Sequence, residues 1–188
     1  MRNESHQSRS QYFSIDAFRA STHPTGWPAP IVHENGGCVN LSGDYQYHGQ
    51  LDASSPGTFH SNIDLIVFGQ KPAAREPEYV KVFHQQESGG LQYELVYADG
   101  TPSIRKEFKY KLICSDGWLT WERQGKGRSA DSYVLEYASK YRLNKAQDGS
   151  LIMHTQVKTK NSFLLFFSYT DTRMGWSRFL PARAEKGQ

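Results

Sequence analysis

The 188-residue chain is long enough for one domain that buries roughly 70% of its unfolded surface, so neither a metal nor a disulfide is needed for folding. Its aromatic content of 13% favours pleated sheets over helical bundles. The net charge of +3 is mild, and Lys and Arg alternate with Asp and Glu along the chain, which does not indicate nucleic-acid binding. A run of about 18 apolar residues, which a membrane-spanning helix needs, is lacking.

Residues 1–37 are predicted to form a loosely ordered N-terminal arm. They contain Pro24, Pro28 and Pro30 with few apolar residues, a composition typical of segments that lack a core of their own. Trp27 either docks on the domain or contacts a partner protein. The first ten residues lack the apolar stretch of a secretory signal, so the expected location is the cytoplasm.

Residues 38–180 are predicted to form a single domain, and 181–188 a frayed tail. Alternating residues predict strands over 38–48, 79–85 and 91–97. Residues 62–68 fit either a buried strand or a short helix, and we expect a helix that covers one mouth of the sheet.

Three Asp-Gly pairs divide the second half of the chain: Asp99-Gly100, Asp116-Gly117 and Asp148-Gly149. Asp-Gly supplies the positive φ angles of tight hairpin turns, so these pairs indicate consecutive antiparallel strands. The strands are predicted over 103–114, 118–121, 132–144 and 151–159, with a turn near Lys160-Asn161. Residues 163–167 are expected to form a strand buried on both faces, and a short strand or anchor follows near Trp176 and Phe179.

Residues 124–128 interleave glycines with cations. They lack the spacing of a phosphate-binding loop and are predicted to be a solvated hairpin tip. Lys126 and Arg128 at this tip are candidate contacts for a partner protein.

The pattern as a whole predicts an all-β fold, an antiparallel up-and-down meander of about eight strands that closes into a lipocalin-like barrel with one short helix. The interior of such a barrel is either filled by side chains or holds one small ligand. The candidate inner wall consists of tyrosines, which could bind an amphipathic ligand or form an ordinary aromatic core: Tyr45, Tyr47, Tyr93, Tyr97, Tyr133, Tyr137 and Tyr141.

Residues for catalysis or metal binding do not stand out. The seven histidines have no metal-ligand spacing: His6, His23, His33, His48, His60, His84 and His154. We therefore assign no catalytic residue, metal or cofactor. Cys38 and Cys114 either form a disulfide that closes a long loop or remain two partly buried thiols, which is the expectation for the cytoplasm.

The motifs Cys38-x-x-Leu41-Ser42-Gly43-x-Tyr45, Cys114-x-Asp116-Gly117-Trp118-Leu119 and Asp148-Gly149-Ser150-Leu151 resemble small bacterial envelope proteins of lipocalin-like build, many of them lipoproteins of unknown function. The likeness spans residues 38–180 and implies the barrel fold. In such lipoproteins a cysteine near the start of the domain carries the lipid. Asn35 and the polar residues before it depart from that pattern, so an envelope location for this chain would require a different start.

The function expected from the sequence is a non-enzymatic binding module that holds a small apolar or amphipathic ligand in an aromatic-lined barrel. The alternative is an inhibitor or immunity-type protein that acts by surface contact with a partner protein. Neither expectation involves nucleic acid or a transmembrane segment.

Overall fold

The computed structural model describes residues 22–32, 37–53, 55, 61–63, 67, 75–85, 89–103, 105–128, 134–163 and 167–182. Within these ranges the chain is all-β and contains ten strands, all paired antiparallel. The strands are β1 (Gly43–Gln46), β2 (Gln50–Leu51), β3 (Tyr79–Gln85), β4 (Gly90–Val96), β5 (Lys106–Glu107), β6 (Ile113–Ser115), β7 (Trp118–Arg128), β8 (Val134–Lys145), β9 (Leu151–Phe163) and β10 (Phe167–Phe179).

The strands form two sheets. The smaller sheet has the order β1-β3-β4-β5 and the larger one the order β2-β10-β9-β8-β7-β6, so β6 to β10 are a meander of sequential neighbours. The prediction of an all-β antiparallel fold is confirmed. The prediction of about eight strands in a closed barrel is wrong, because ten strands in two separate sheets make up the described part of the chain.

The sheets meet at two edges without joining into one ladder. At one edge, Gln46 N–H donates to Leu180 O over 2.8 Å and Ala182 N–H donates to Asp44 O over 2.9 Å. At the other edge, the chain crosses from β5 to β6 through residues 108–112. The sequence predicted one strand over 103–114, but the described residues there form two short strands, which belong to different sheets.

Of the three Asp-Gly pairs, Asp116-Gly117 has the predicted backbone at both residues. Asp116 and Gly117 have φ angles of 53° and 78°, as a two-residue turn of type I′ requires, and they join the paired residues Ser115 and Trp118. Gly100 and Gly149 also have positive φ angles, 71° and 81°. Residues other than glycine rarely adopt positive φ angles. The glycines therefore fix the positions at which the chain reverses direction.

The strands β7, β9 and β10 are longer than predicted. Residues 124–128 are not a hairpin tip, because β7 continues through them and pairs residue by residue with β8 as far as Arg128 and Val134. The turn predicted at Lys160-Asn161 is also wrong, since β9 continues to Phe163. Of the strand predicted over 163–167, Phe163 ends β9 and Phe167 begins β10, whereas 164–166 lie outside the described residues.

Alternate residues of the larger sheet point to opposite faces. The odd-numbered ones, Leu119, Trp121, Tyr141, Leu143, Leu151, Met153 and Phe179, join residues of the smaller sheet in the main core. The even-numbered ones, Ala146, Ile152 and Trp176, form a second cluster on the outer face. The main core ends at Trp121 and Tyr141, whose rings are stacked 5.0 Å apart.

The predicted helix and arm are only partly within the described ranges. Of 62–68, only Asn62, Ile63 and Val67 are described; Ile63 has helical backbone, and Val67 N–H donates to Ile63 O over 2.8 Å, the i-to-i−4 bond of an α-helical turn. In the arm, 22–32 pack on the larger sheet through a bridge between Pro30 and Ala146. No helix in the described part of the chain is long and apolar enough to cross a membrane.

Cys38 and Cys114 form a disulfide with their Cα atoms 5.6 Å apart. The expectation of two free thiols is therefore wrong. The bond ties the segment before β1 to the edge strand β6, across a sequence separation of 76 residues. It connects the smaller sheet's first strand to the larger sheet at the edge where the ladder is interrupted.

We predict that Cys114→Ser lowers the free energy of unfolding by about 4 to 5 kcal/mol, because the chain-entropy model gives this value for a loop of that length. Urea unfolding followed by tryptophan fluorescence measures the change. A reductant should destabilise the wild type by a similar amount and leave the variant unaffected. Equal stability of the two proteins without reductant would contradict this role for the bond.

A second prediction concerns Gly125, whose backbone lies under the ring of Tyr137 on the paired strand. A Cβ atom at Gly125 would come within 2.3 Å of Tyr137 Oη, whereas a Cβ at Gly127 would meet nothing within 4 Å. We expect Gly125→Ala to destabilise the protein by about 1–3 kcal/mol, as overpacking does, and Gly127→Ala to change stability little. Urea unfolding compares the two variants, and the Gly125→Ala cost should shrink in a Tyr137→Ala background.

Candidate functional site

Four of the predicted tyrosines lie in the main core. Tyr45, Tyr47, Tyr93 and Tyr141 have relative exposures of 1%, 3%, 0% and 8%. Tyr45 Oη donates to Leu41 O over 2.8 Å, and Tyr47 Oη accepts from Asn62 Nδ2 over 3.3 Å. The rings are thus held by packing and by hydrogen bonds within the protein, and burial raises the pKa of the Tyr45 hydroxyl.

The remaining three tyrosines are elsewhere. Tyr97 is half-buried against the main core with the Arg75 guanidinium 5.8 Å from its ring centroid. Tyr137 lies over Gly125 at the inner face of the larger sheet, beyond the row of Trp121 and Tyr141. Tyr133 lies outside the described residues. Of the six described tyrosines, Tyr97 and Tyr137 therefore lie outside the buried group that the other four form.

A row of polar and aromatic side chains crosses the outer face of the larger sheet. Arg142 on β8, His154 on β9 and Trp176 on β10 are direct cross-strand neighbours. Arg142 Nε donates to His154 Nδ1 over 3.1 Å. The guanidinium carbon lies 4.7 Å from the Trp118 ring centroid and 5.4 Å from that of Trp176, so the cation is flanked by two indole rings.

His154 in this row is fully buried. Burial, and secondly the positive charge of Arg142, lower its pKa to about 3. The imidazole is therefore neutral near pH 7, with Nδ1 accepting the Arg142 hydrogen bond. At neutral pH the imidazole therefore serves as a hydrogen-bond acceptor for Arg142.

Trp27, a predicted partner contact, packs instead against this outer face. It belongs to the cluster around Ile152 and Trp176, and the His23 ring lies 6.4 Å from its ring and 5.3 Å from that of Trp176. The docked position was one of the two alternatives from the sequence. Among the described residues no group of three or more potential ligands that could hold a metal is found.

A cleft of about 920 Å³ opens where β1 meets residues 180–182 and the turn between β8 and β9. Two of its three charged side chains are engaged within the protein: Lys145 Nζ donates to Ser42 O over 3.2 Å, and Asp148 pairs with Arg178. The cleft is shallow and of mixed polarity, which is a weak match to the apolar, enclosed sites that hold small molecules.

The long strands β7 to β10 extend well beyond the main core. We call this extension the ribbon; it comprises residues 122–128, 134–140, 156–163 and 167–174. The ribbon carries seven Lys and Arg residues against three Asp and Glu residues, whereas the rest of the chain has 15 against 16. The fold thus gathers the protein's whole positive surplus in the ribbon, although the cations are scattered in the sequence.

Four lysines share the outer face of the ribbon because they occupy even-numbered positions of its strands. We call this surface the lysine face: Lys126, Lys140, Lys158 and Lys160, with Glu122 and Glu136. Lys126 Nζ lies 2.7 Å from Glu136 Oε1, and Lys140 Nζ lies 3.4 Å from Glu122 Oε1. The pKa of Glu136 is lowered by its hydrogen bond from Lys126 and by Lys160 nearby, so the face has four cations for two carboxylates.

The sequence prediction found only one member of this face. Lys126, with 71% of its side chain exposed, lies on it; Arg128 ends β7, and its side chain is outside the described residues. Lys140, Lys158 and Lys160 were missed. The signal that could have found them is the period-two spacing of Lys158 and Lys160 within a predicted strand, which places both on one face.

No protein family, no curated protein and no solved structure matches this chain. The resemblance to lipocalin-like envelope proteins therefore stays a prediction from the motifs.

We predict that His154 makes the protein less stable as the pH falls. The folded state binds the proton only near pH 3, while the unfolded chain binds it near the ordinary value of 6.5, so unfolding takes up a proton between these values. Between about pH 7 and pH 5, the free energy of unfolding should fall by about 2 kcal/mol on account of this residue.

Urea unfolding at several pH values, with His154→Gln as the control, tests this. The Gln amide oxygen can still accept from Arg142 but does not titrate. The pKa values of His23 and His84 are also lowered, chiefly by burial, and contribute equally in both proteins. Identical pH dependence of the wild type and the variant would show that His154 is not a source of acid sensitivity.

Proposed function

We propose that this protein is a non-enzymatic binding module that contacts an acidic partner protein through the lysine face of the ribbon. The observation that carries the proposal is the concentration of seven cations against three anions in an extension of the sheet, in a chain that is otherwise close to neutral. Charge of one sign on one surface attracts a partner of the opposite sign and speeds their association.

The packing of the tyrosines favours surface contact over an internal ligand. Trp121 and Tyr141 are stacked on each other, and the Tyr45 hydroxyl is bonded to the Leu41 carbonyl. An amphipathic molecule in the interior, which was the first expectation from the sequence, would have to displace these contacts. A partner at the ribbon displaces none of them.

The composition of the lysine face favours a protein over a nucleic acid. Two of its four lysines are already paired with glutamates, and those carboxylates would oppose a phosphate backbone, which places a negative charge at every nucleotide. A protein surface can place its own carboxylates opposite the lysines and neutral groups opposite the glutamates. The face therefore fits a mixed acidic surface better than a uniform polyanion.

The test compares poly-L-glutamate and a single-stranded oligonucleotide of equal charge by isothermal titration calorimetry. We expect poly-L-glutamate to bind the wild type more tightly than the oligonucleotide does. The double variant Lys158→Gln with Lys160→Gln should weaken binding of poly-L-glutamate by about tenfold, or about 1.4 kcal/mol, and reduce its dependence on salt.

Lys109→Gln with Lys111→Gln is the matched control. It removes the same charge from two exposed lysines on the segment between β5 and β6, outside the ribbon, and should leave most of the affinity intact. Equal losses in the two double variants would show that only net charge matters and would overturn the lysine face as the binding surface. Tighter binding of the oligonucleotide would favour nucleic acid instead.

A further inference from the structure

The outer edge of β10 is a long stretch of backbone that has no neighbouring strand within the described ranges. β10 pairs with β9 along all thirteen of its residues. On its other side it pairs with β2 only at Ser177 and Arg178, and Ser55 and Asp52 bond to Trp176. Ser168, Thr170 and Thr172 lie beyond these contacts. Unpaired strand edges are templates to which another strand can add.

The direction of the backbone groups along this edge follows from Trp176. Its N–H donates to Ser55 Oγ over 3.0 Å and its C=O accepts from Asp52 N–H over 3.1 Å, so both groups point away from β9. In an antiparallel ladder, every second residue points the same way. Because the pairing with β9 runs one to one without a bulge, the outward-pointing residues of the ribbon are Ser168, Thr170, Thr172 and Met174.

The outward residues of β10 carry none of the features that normally protect an edge. They include no charged residue and no proline, and the strand has no bulge, whereas lysines, prolines and bulges are the usual means of blocking strand addition. The open edge of β7 differs, since Lys126 lies on it. Of the two long edges of the ribbon, β10 is therefore the one suited to accept a strand.

We propose that an extended, acidic segment of the partner protein adds to the ribbon as a strand beside β10. This inference rests on the proposed function and names how the partner binds. Backbone hydrogen bonds to the outward residues would supply affinity, and side chains would supply specificity. On the lysine face, the added residues lie opposite Thr170 and Thr172, with Lys160 and Lys158 one strand further in.

Charge decides the identity of the added strand. Its Cα atoms would lie about 10 Å from those of Lys158 and Lys160, two strand spacings away, a gap that a glutamate and a lysine side chain span together. A second copy of this chain is a poorer occupant, because pairing two β10 edges would join two ribbons that each carry a surplus of four positive charges, and these repel.

The first experiment uses three synthetic fluorescein-labelled peptides of equal length in anisotropy titrations. One alternates glutamate with valine, one alternates lysine with valine, and one repeats the glutamate–valine sequence with every backbone nitrogen methylated, which keeps the charge but cannot donate the backbone hydrogen bonds of a strand. We expect tight binding of the glutamate–valine peptide, weak binding of its N-methylated form and none of the lysine peptide. Equal binding of the two acidic peptides would overturn strand addition.

The matched variants are Thr172→Pro on β10 and Gln124→Pro on β7. Thr172 and Gln124 occupy the two ends of one row that runs through Ala138 and Lys158. Both residues direct their N–H groups away from the neighbouring strand of the ribbon. For Thr172 this follows from Trp176, as above; for Gln124 it follows from Trp118, whose backbone groups face β6 and which is an even number of residues away. Proline at Thr172 should weaken binding of the glutamate–valine peptide at least about tenfold, while proline at Gln124 should not.

Hydrogen exchange on the wild type provides a readout that needs no variant. The amides of Ser168, Thr170 and Thr172 should exchange rapidly in the free protein and slowly with the glutamate–valine peptide, while those of Tyr169 and Asp171, which point to β9, should be slow in both states. Unchanged exchange at the outward amides would overturn the inference. If that occurs while Lys158→Gln with Lys160→Gln still weakens binding, the proposed function stands and only strand addition fails.

Discussion

The uninterrupted one-to-one pairing of β7, β8, β9 and β10 is the constraint on which the rest of the structure depends. Without a bulge, every odd-numbered residue of these strands stays on the inner face and every even-numbered one on the outer face over their whole length. The same parity fixes the backbone, so even-numbered residues of β10 direct their N–H and C=O groups away from β9. A slip by one residue would move the core residues into solvent and the lysines into the core.

The core stops before the strands do, and this difference gives the protein a surface to use. Trp121 and Tyr141 close the main core with their stacked rings, but the strands continue for several residues. Beyond that point the described residues of the smaller sheet no longer join the core cluster, and exposed side chains such as that of Lys126 are available for contact. Ion pairs such as Lys126 with Glu136 add little stability at an exposed site, which is consistent with a role in recognition.

Much of the fold could be predicted from the sequence because it depends on local chemistry. The three Asp-Gly turns were found since only a few residue types adopt positive φ angles, and the all-β class was found since alternation is a short-range pattern. The sequence could not show that the strands form two sheets and not one closed barrel. That outcome depends on whether residues 103–114 pair along their whole length, and strands distant in sequence decide this pairing. The ends of β7 and β9 were missed because glycines and lysines were taken as signs of a turn. In the structure the paired strand stabilises these residues as a strand, since the Tyr137 ring on β8 fills the space above Gly125 on β7.

The candidate site was harder to predict than the fold because its parts are distant in sequence. Lys126, Lys160 and Glu136 come from three strands and meet only through the register of β7, β8 and β9. The sequence also did not reveal which side chains are buried. Most of the tyrosines that suggested a ligand site are interior, whereas the lysines occupy the alternate positions on the other face of the sheet. A strand that alternates core residues with lysines therefore has two roles. Its inner face packs in the core and fixes the register, and this register brings the lysines of neighbouring strands together on the outer face.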